Sequence, residues 1–261
     1  MYQWLSKGEW RYIRRMTVLL VLFFFSFTRT WGQFNHSGHP KQQTYPLNNS
    51  YPFESDTIQT NQVHHISAER LRFSPQQLWA PAILIGTGVL TDLSNGLKNS
   101  QLDFYHHHLS PFHTKVDNWL LYVPALLPYG LDLIGIHSKT DVRNRTAILL
   151  KAEILVTASG FLLKHSIHER RPDGSNTYSF PSGHSLQVFA TATLLSEEYK
   201  DQYKWMPYAA YGLATGVGLL RIANNKHYLG DVLVGAGLGI LSMKMAYWTH
   251  QFKWHKHRHT H

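Results

Sequence analysis

Apolar stretches alternate with polar connections along most of the 261-residue chain, from residue 78 onward. The stretches are rich in Leu, Ala and Gly, are long enough for helices, and lack the strict alternation that marks a half-buried strand. Six of them can be delimited, at 78–93, 119–135, 146–163, 185–195, 205–220 and 232–248. The pattern therefore predicts an all-α domain over residues 78–250, built as a six-helix bundle.

The same stretches leave open how this bundle relates to a membrane. A spanning helix needs about 20 mainly apolar residues, and Lys151, Glu153 and Lys244 interrupt the longest runs. The mean hydropathy of −0.27 is also low for a protein made mostly of membrane helices. However, tryptophans lie near the ends of several stretches, as in the aromatic belt of a membrane protein: Trp79, Trp119, Trp205, Trp248 and Trp254. We therefore expect a bundle that is membrane-embedded or membrane-associated.

Residues 1–32 have the features of a secretory signal peptide. Arg11, Arg14 and Arg15 precede an apolar run at 16–27, and the small residue Gly32 follows it. A basic region, an apolar region and then a small residue are typical of a cleaved signal. The alternative is an uncleaved anchor helix, but the run is shorter than the about 20 residues that a span requires. We therefore predict an exported protein of the bacterial cell envelope.

Two polar segments flank the predicted helical domain. Residues 33–77 have no sustained apolar period, and we interpret them as an arm or linker. Residues 251–261 form a basic tail that is rich in histidine. This tail and the histidine run at 106–108 offer adventitious metal ligands, but a solvated basic face toward acidic headgroups is the favoured interpretation.

Composition and charge exclude several kinds of chemistry. The chain has no cysteine, which rules out disulfide frameworks, thiol catalysis and iron–sulfur clusters. It has 25 Lys and Arg against 16 Asp and Glu, a formal net charge of +9. Such an excess suits anionic lipid surfaces or phosphorylated substrates. Nucleic acid is not an expected partner, because the sequence lacks a basic stripe with interleaved aromatic residues and any nucleic-acid-binding motif.

Three short polar blocks carry the candidate chemistry. Six residues separate the Lys from the Arg-Pro pair in the first block, and the second is an unbroken Pro-Ser-Gly-His. In the third block, five residues separate Arg from His and three separate His from Asp. The ten residues are Lys164, Arg171, Pro172, Pro181, Ser182, Gly183, His184, Arg221, His227 and Asp231.

The cations and the start of the fourth helix suit the binding of a phosphate. Lys164, Arg171 and Arg221 are permanent cations that can neutralise phosphoryl oxygens. Ser182 and Gly183 lie where the fourth helix should begin. Backbone N–H groups and the positive end of the helix dipole favour an anion there.

The histidines and the aspartate suit attack on that phosphate. His227 and Asp231 are four residues apart and share a helix face if the last helix starts near Tyr228. A carboxylate on one ring nitrogen fixes the tautomer and leaves the other nitrogen as a nucleophile. His184, on a different helix, is free to act as a general acid. In an antiparallel bundle the three blocks lie at helix ends on one side, so we expect them to converge.

Together the blocks resemble the signature of the type 2 phosphatidic acid phosphatase superfamily, which also contains bacterial class A acid phosphatases and vanadium haloperoxidases. That signature is Lys-x6-Arg-Pro, then Pro-Ser-Gly-His, then Ser-Arg-x5-His-x3-Asp. All ten residues match it, and three blocks in order with correct spacing are a specific signal. Leu220 departs from the pattern, because it replaces the Ser before the Arg. This departure bears on how Arg221 is positioned.

The resemblance covers about residues 78–250 and implies a six-helix fold and metal-free hydrolysis of a phosphomonoester or pyrophosphate, with no cofactor. It implies that His227 is the nucleophile of a phosphohistidine intermediate. It further implies that His184 acts as general acid and then base, and that Asp231 stabilises the imidazolium. The implied phosphate-binding residues are Lys164, Arg171, Ser182, Gly183 and Arg221.

The apolar bundle and basic ends favour a lipid phosphate as the substrate, of the phosphatidate, polyprenyl pyrophosphate or lipid A type. We expect a membrane-associated enzyme of the cell envelope whose site faces the periplasm. Three alternatives stay open: a soluble periplasmic non-specific acid phosphatase, a vanadate-dependent haloperoxidase and a catalytically silent helical scaffold. The sequence indicates no particular oligomeric state.

Two glycine-containing segments are predicted to be structural. Gly235, Gly237 and Gly239 lie inside an apolar stretch, which favours a close-packing helix seam over a phosphate-binding loop. Residues 173–175, Asp-Gly-Ser, predict a turn that lies close to Arg171, at the mouth of the site.

Overall fold

The structure is a computed structural model, and it describes residues 73–250. All regular secondary structure in that range is helical, which confirms the all-α prediction. The α-helices are α1 (Trp79–Leu93), α2 (Asn95–Phe104), α3 (Val116–Leu120), α4 (Val123–Leu133), α5 (Val142–Ile167), α6 (Gly183–Tyr199), α7 (Met206–Ala223) and α8 (Leu229–Trp248). A 3-10 turn at Pro75–Leu78 precedes α1, and a π-helical turn at Tyr105–Leu109 follows α2.

All six predicted stretches are helical, but the α-helices within residues 73–250 number eight. The second stretch is divided into α3 and α4, and Pro124 lies in the first turn of α4, where its ring fits a helix start but not a helix interior. Helix α2 was not predicted, because its sequence NGLKNSQLDF is too polar to show an apolar period. The predicted signal peptide and tail lie outside the described residues, as does the predicted arm before residue 73.

Side-chain caps fix where the two helices next to the motifs begin. Ser182 precedes α6, and its hydroxyl accepts a hydrogen bond from the Ser185 N–H at 3.4 Å. At the start of α8, the Asp231 carboxylate accepts one from the Tyr228 N–H at 2.9 Å. Such caps satisfy N–H groups that have no partner within the helix, and each contributes about 1 kcal/mol.

Helix α8 lies between α1 and α6, and its glycines permit that close approach. A Cβ atom at Gly239 would lie 2.2 Å from the Leu186 carbonyl oxygen in α6. A Cβ atom at Gly237 would lie 2.8 Å from the Pro81 carbonyl oxygen in α1. Real Cβ atoms do not approach backbone oxygens so closely, so only glycine fits. The predicted close-packing seam is confirmed.

The helices alternate in direction, so α5 and α7 end on the side of the bundle where α6 and α8 begin. The Lys164 ammonium, near the end of α5, donates a hydrogen bond to the Pro181 carbonyl oxygen at 2.7 Å. The Ser182 N–H donates to the Asp231 carbonyl oxygen at 3.0 Å. These bonds bring the three motifs to one end of the bundle.

The outer surface of the bundle is rich in apolar side chains. Two helices are long and apolar enough to cross a bilayer, by length and composition alone: α5, with a mean hydropathy of 1.7, and α8, with 1.4. In α5 only 33% of the apolar window is buried, against 78% in α8. Large apolar side chains project outward from α5 and from other helices. Examples are Trp79, Leu90, Trp119, Leu126, Leu133, Leu150, Ile154, Phe161 and Tyr208.

Candidate active site

His227 and Asp231 form a buried pair at the start of α8. Nδ1 of His227 lies 3.3 Å from Oδ2 of Asp231, and the two residues are 1% and 0% exposed. The same oxygen accepts hydrogen bonds from the Ser179 hydroxyl at 2.5 Å and the Tyr228 N–H at 2.9 Å. These donors orient the carboxylate, so that a proton on Nδ1 faces Asp231 and the lone pair lies on Nε2.

The imidazole of His227 is held in its neutral form. Burial lowers its pKa, and the charges of Lys164 and Arg171 act in the same direction. The hydrogen bond and negative charge of Asp231 partly oppose this shift. Because the net pKa lies below its usual value, the ring carries a free lone pair near neutral pH, as a nucleophile requires.

The three predicted cations surround this pair. The Lys164 ammonium donates hydrogen bonds to the carbonyl oxygens of Tyr178 at 3.0 Å and Pro181 at 2.7 Å. Burial lowers the pKa of Arg171, and the nearby charge of Arg221 lowers it further. Within residues 73–250, the Nε groups of both arginines are buried without a hydrogen-bond partner. Orphaned cationic donors of this kind suit an anionic ligand such as phosphate.

Arg221 is oriented by a residue that the motifs do not include. Its Nη1 group donates a hydrogen bond to Oδ2 of Asp117 at 2.5 Å, and Asp117 is 0% exposed. This aspartate comes from the short helix α3. Leu220 replaces the Ser of the family pattern and has no polar side-chain group that could bind Arg221. The Asp117 carboxylate holds the Arg221 guanidinium instead.

Ser182 and Gly183 play different parts at the start of α6. Ser182 is 0% exposed, its hydroxyl caps the helix, and its N–H donates to the Asp231 carbonyl oxygen at 3.0 Å. Its N–H is therefore used inside the protein, and its part in binding phosphate stays a prediction. Gly183 is exposed. The N–H groups of Gly183 and His184 occupy the first two helical positions, which have no partner within the helix and suit an anion.

His184 faces the same region from the first turn of α6. Its Nε2 atom lies 2.8 Å from the amide oxygen Oδ1 of Asn118 in α3. With this oxygen as the acceptor, Nε2 carries the proton. His184 also lies within electrostatic range of Arg221 and His227. Burial and the nearby charge of Arg221 lower the pKa of His184 to about 4, so the ring is uncharged near neutral pH. The negative charge of a bound phosphate would raise that pKa, and the protonated ring could then donate from Nδ1 to a leaving oxygen.

A cluster of carboxylates lies behind the His227 pair. One oxygen each of Asp92, Glu169 and Asp231 lies within 4.8 Å of the others, a spacing that could hold a metal ion. The Lys98 ammonium lies 3.0 Å from Asp92 and forms a second ion pair with Glu169. The Lys98 ammonium therefore offsets part of the negative charge of these carboxylates.

The loop between α5 and α6 folds as a turn beside Arg171, as predicted. Gly174 has a φ of 72°, in the left-handed region that favours glycine. The Ser175 N–H donates to the Asp173 carboxylate at 3.0 Å. Lys226 donates to the same carboxylate at 2.5 Å, which ties this turn to the connection between α7 and α8.

Sequence reasoning missed five polar residues that surround the predicted site. They are Asp92, Lys98, Gln101, Asp117 and Asn118, and all come from the part of the chain before α5. None of them belongs to a motif, and their spacing shows no pattern that marks a site. Glu169 lies inside the first motif, but it occupies one of the six positions that the motif leaves open, so the motif gives it no role. The positions of the five missed residues result from the packing of α1, α2 and α3 against the helices that carry the motifs.

Two curated relatives match parts of the chain. Lipid A 1-phosphatase of Porphyromonas gingivalis is 36% identical over 140 residues, which are 52% of this chain and 31% of that protein. Bacitracin transport permease protein BcrC of Bacillus licheniformis is 38% identical over 72 residues, which are 27% of this chain and 33% of that protein. The matched part therefore spans about a third of the length of either relative.

Two solved structures are similar. The crystal structure of Aquifex aeolicus LpxE aligns with a TM-score of 0.42 and 23% identity, over 56% of this chain and 93% of that one. The Bacillus subtilis transmembrane PAP2 type phosphatidylglycerolphosphate phosphatase aligns with a TM-score of 0.42 and 20% identity, over 64% of this chain and 94% of that one.

The sequence profile of the PAP2 superfamily matches residues 145–255. This range holds all three motifs, and it holds the helix ends that bring the motif residues together. PAP2 is the type 2 phosphatidic acid phosphatase superfamily that the motifs resemble. Over residues 145–255, the chain matches the PAP2 superfamily both in its sequence profile and in its three motifs.

Proposed function

We propose that this protein is a phosphatase that hydrolyses a phosphomonoester or pyrophosphate of a lipid through a phosphohistidine on His227. The observation that carries the proposal is the buried, neutral His227 imidazole, held by Asp231, among the cations Lys164, Arg171 and Arg221. A neutral imidazole among cations is suited to attack an anionic phosphorus centre. A structural ion pair would require a charged ring instead.

The reaction proceeds in two steps, transfer of the phosphoryl group to His227 and then its hydrolysis. Nε2 of His227 attacks phosphorus in line, a nitrogen–phosphorus bond forms, and the bond from phosphorus to the leaving oxygen breaks as His184 gives that oxygen a proton. Water then attacks the phosphohistidine, His184 takes a proton from the water, and inorganic phosphate leaves as the nitrogen–phosphorus bond breaks. Asp231 stabilises the positive charge on the ring while His227 carries the phosphoryl group.

The surrounding donors lower the energy of charge on the transferring oxygens. Lys164, Arg171 and Arg221 supply the positive charge, and the N–H groups at the start of α6 supply further donors. Phosphoryl transfer depends mainly on such positioning and electrostatic stabilisation. The six catalytic and cationic side chains thus have separate parts in one reaction, which needs no cofactor.

The outer surface supports a lipid as the carrier of the phosphate. Apolar side chains on α1, α4 and α5 are exposed around the bundle, and α5 and α8 are each apolar enough to span a bilayer. One relative is named lipid A 1-phosphatase. We infer a membrane-associated enzyme whose site faces the periplasm. Its substrate belongs to the phosphatidate, polyprenyl pyrophosphate or lipid A class.

Phosphate release from a panel of substrates tests the proposal. The full chain in detergent, with excess chelator, is given phosphatidate, polyprenyl pyrophosphate, lipid A and the soluble ester p-nitrophenyl phosphate. We expect release from at least one lipid. We expect His227→Ala to reduce the rate by more than about 10⁴-fold. His137→Ala is the matched control, since His137 is exposed at the opposite end of the bundle.

The intermediate can be trapped directly. A substrate labelled in its phosphoryl group should transfer label to the protein, and that label should resist alkali and be lost in acid, as a phosphohistidine is. Label on His227→Ala, or turnover unchanged by that substitution, would overturn the mechanism. Turnover of p-nitrophenyl phosphate with none of the lipids would replace the lipid enzyme by a soluble-substrate phosphatase.

A further inference from the structure

Helix α2 contacts the backbone on both sides of the candidate nucleophile. The side-chain amide of Gln101 donates a hydrogen bond from Nε2 to the His227 carbonyl oxygen at 3.0 Å. Its Oε1 atom accepts one from the Leu229 N–H at 2.9 Å. One planar amide therefore spans the turn 227–229, and both of its polar functions are used.

These two bonds act on the segment that sets the direction of the imidazole. His227 is not in a helix, so its backbone is not fixed by a regular hydrogen-bond ladder. The Leu229 N–H is the first helical N–H of α8 and has no acceptor inside that helix. Gln101 supplies that acceptor and simultaneously fixes the carbonyl of His227. The backbone from the nucleophile into α8 is thereby held in one conformation.

Lys98 contacts the same segment from the same face of α2, since it lies three residues before Gln101. Its ammonium lies 5.1 Å from the centre of the Tyr228 ring. It also pairs with Asp92 at 3.0 Å and with Glu169. Lys98 therefore joins the turn 227–229 to the carboxylate cluster that includes Asp231.

The charge on Lys98 also affects the state of that cluster. Burial and the negative charges of Asp231 and Asp92 together raise the pKa of the Glu169 carboxyl to about 9. The carboxylates of this cluster therefore repel one another strongly. The Lys98 ammonium, which pairs with Asp92 and Glu169, offsets this repulsion beside Asp231, the partner of His227.

We propose that Gln101 and Lys98 are positioning residues for the reaction. Helix α2 is therefore part of the active site, although it lies outside residues 145–255. Gln101 fixes the backbone of the nucleophile, and Lys98 holds the turn 227–229 against the carboxylates Asp92 and Glu169 behind Asp231. This inference rests on the proposed phosphatase function.

Gln101→Ala tests the first half, with Asn99→Ala as the matched control. Asn99 is exposed on the same helix, two residues away. We expect Gln101→Ala to lower kcat at least about tenfold with KM changed less than about twofold, because small misplacements of reacting groups cost rate rather than affinity. Asn99→Ala should match the parent.

Inhibition by vanadate and by phosphate distinguishes a positioning role of Gln101 from a general loss of structure. Vanadate mimics the five-coordinate transition state and uses the ring of His227, whereas phosphate uses mainly the cations. Gln101→Ala should raise the inhibition constant of vanadate about tenfold and leave that of phosphate within about twofold. An equal rise in both constants would indicate a structural role and overturn the inference. So would a folded Gln101→Ala protein with parental kcat.

Lys98→Met tests the second half through the pH profile. Without the ammonium, the negative charge behind Asp231 is no longer offset, so the acid limb of kcat/KM should move to higher pH. Lys98→Arg should restore the parental profile. An unshifted limb in Lys98→Met overturns the role of Lys98.

Folding is monitored by the melting temperature of each variant. If Gln101→Ala fails to fold, Gln101→Glu keeps the acceptor for Leu229 and removes only the donor to His227. A kcat of Gln101→Glu equal to that of the parent then overturns the inference. A parent that releases no phosphate from any substrate refutes the proposed function itself. An active parent whose variants have unchanged kinetics refutes only the positioning role of helix α2.

Discussion

The backbone N–H of Ser182 donates to the carbonyl oxygen of Asp231 at 3.0 Å. This bond joins the residue that caps α6 to the first turn of α8, so the second and third motifs are connected through the backbone. The Asp231 carboxylate also holds the ring of His227. A displacement at this seam therefore moves the candidate nucleophile relative to the N–H groups at the start of α6.

Gly235, one turn later in α8, makes this close approach possible. A Cβ atom there would lie 2.7 Å from the Ser182 carbonyl oxygen and 3.1 Å from the Cβ atom of Ser185. We predict that Gly235→Ala lowers the free energy of unfolding by about 1–3 kcal/mol, because it overpacks a rigid contact. The rate of phosphate release should fall as well, since the two helices are forced apart at the site.

Gly212→Ala is the control for that substitution. Gly212 lies in α7, and nothing lies within 4 Å of a Cβ atom placed there. The added methyl group should leave activity unchanged. The free energy of unfolding should stay the same or rise by about 0.4–1 kcal/mol. Thermal unfolding in detergent compares the two variants. Equal melting temperatures would contradict the packing argument.

The sequence predicts most of the bundle because its helices coincide with long apolar stretches that lack the alternation of a strand. It also predicts which helix ends carry the site, since motifs at Lys164, Ser182, Arg221 and His227 fall at alternating ends of consecutive apolar stretches. Alternating direction then brings these ends together. Neither step requires knowledge of side-chain contacts.

The contacts that support the motifs could not be predicted in this way. Asp117 orients Arg221 across 104 residues of chain, and Gln101 contacts His227 across 126. Single polar residues in α2 and α3 have no period and no neighbouring motif, so only tertiary packing selects them. The same limit applies to Ser182, whose spacing suggests a phosphate ligand although its N–H is used inside the protein.

The pH dependence of the reaction should reflect the buried His227. Burial lowers the pKa of this histidine, and only the neutral ring can attack. As the pH falls, activity should therefore persist below the ordinary histidine pKa of about 6.5. It should be lost as the pH passes the lower pKa of the folded protein. A profile of kcat/KM against pH measures this limb.

Asp231→Asn should change that profile in a defined direction. The charge and hydrogen bond of Asp231 raise the pKa of His227 against the effect of burial. Without that charge the acid limb should move to still lower pH, while the plateau falls about a hundredfold or more because the imidazolium loses its partner. A limb that moves to higher pH would show that Asp231 does not act on His227 in this way.

Breaking the ion pair of Asp117 and Arg221 should cost stability, and removing both partners should restore part of it. Asp117→Ala leaves the buried Arg221 guanidinium without its 2.5 Å partner, at a cost of about 3–5 kcal/mol. Asp117→Ala combined with Arg221→Ala removes the uncompensated charge, so its melting temperature should exceed that of Asp117→Ala. Phosphate release should stay low in the double variant, because the cation itself is lost. Additive losses of stability would argue against coupling.

Asn118 should affect catalysis according to the leaving group. Its amide oxygen lies 2.8 Å from Nε2 of His184 and accepts the proton of that nitrogen. Asn118 thereby orients the ring, whose other nitrogen, Nδ1, would donate to the leaving oxygen. An alkoxide leaving group needs that proton, whereas p-nitrophenolate leaves without help. Asn118→Ala should therefore lower kcat about tenfold or more for a lipid monoester and leave kcat for p-nitrophenyl phosphate within about twofold. His184→Ala should show the same contrast in larger measure. Equal losses on both substrates would assign Asn118 to the stability of α3, because a general loss of folded enzyme does not depend on the leaving group.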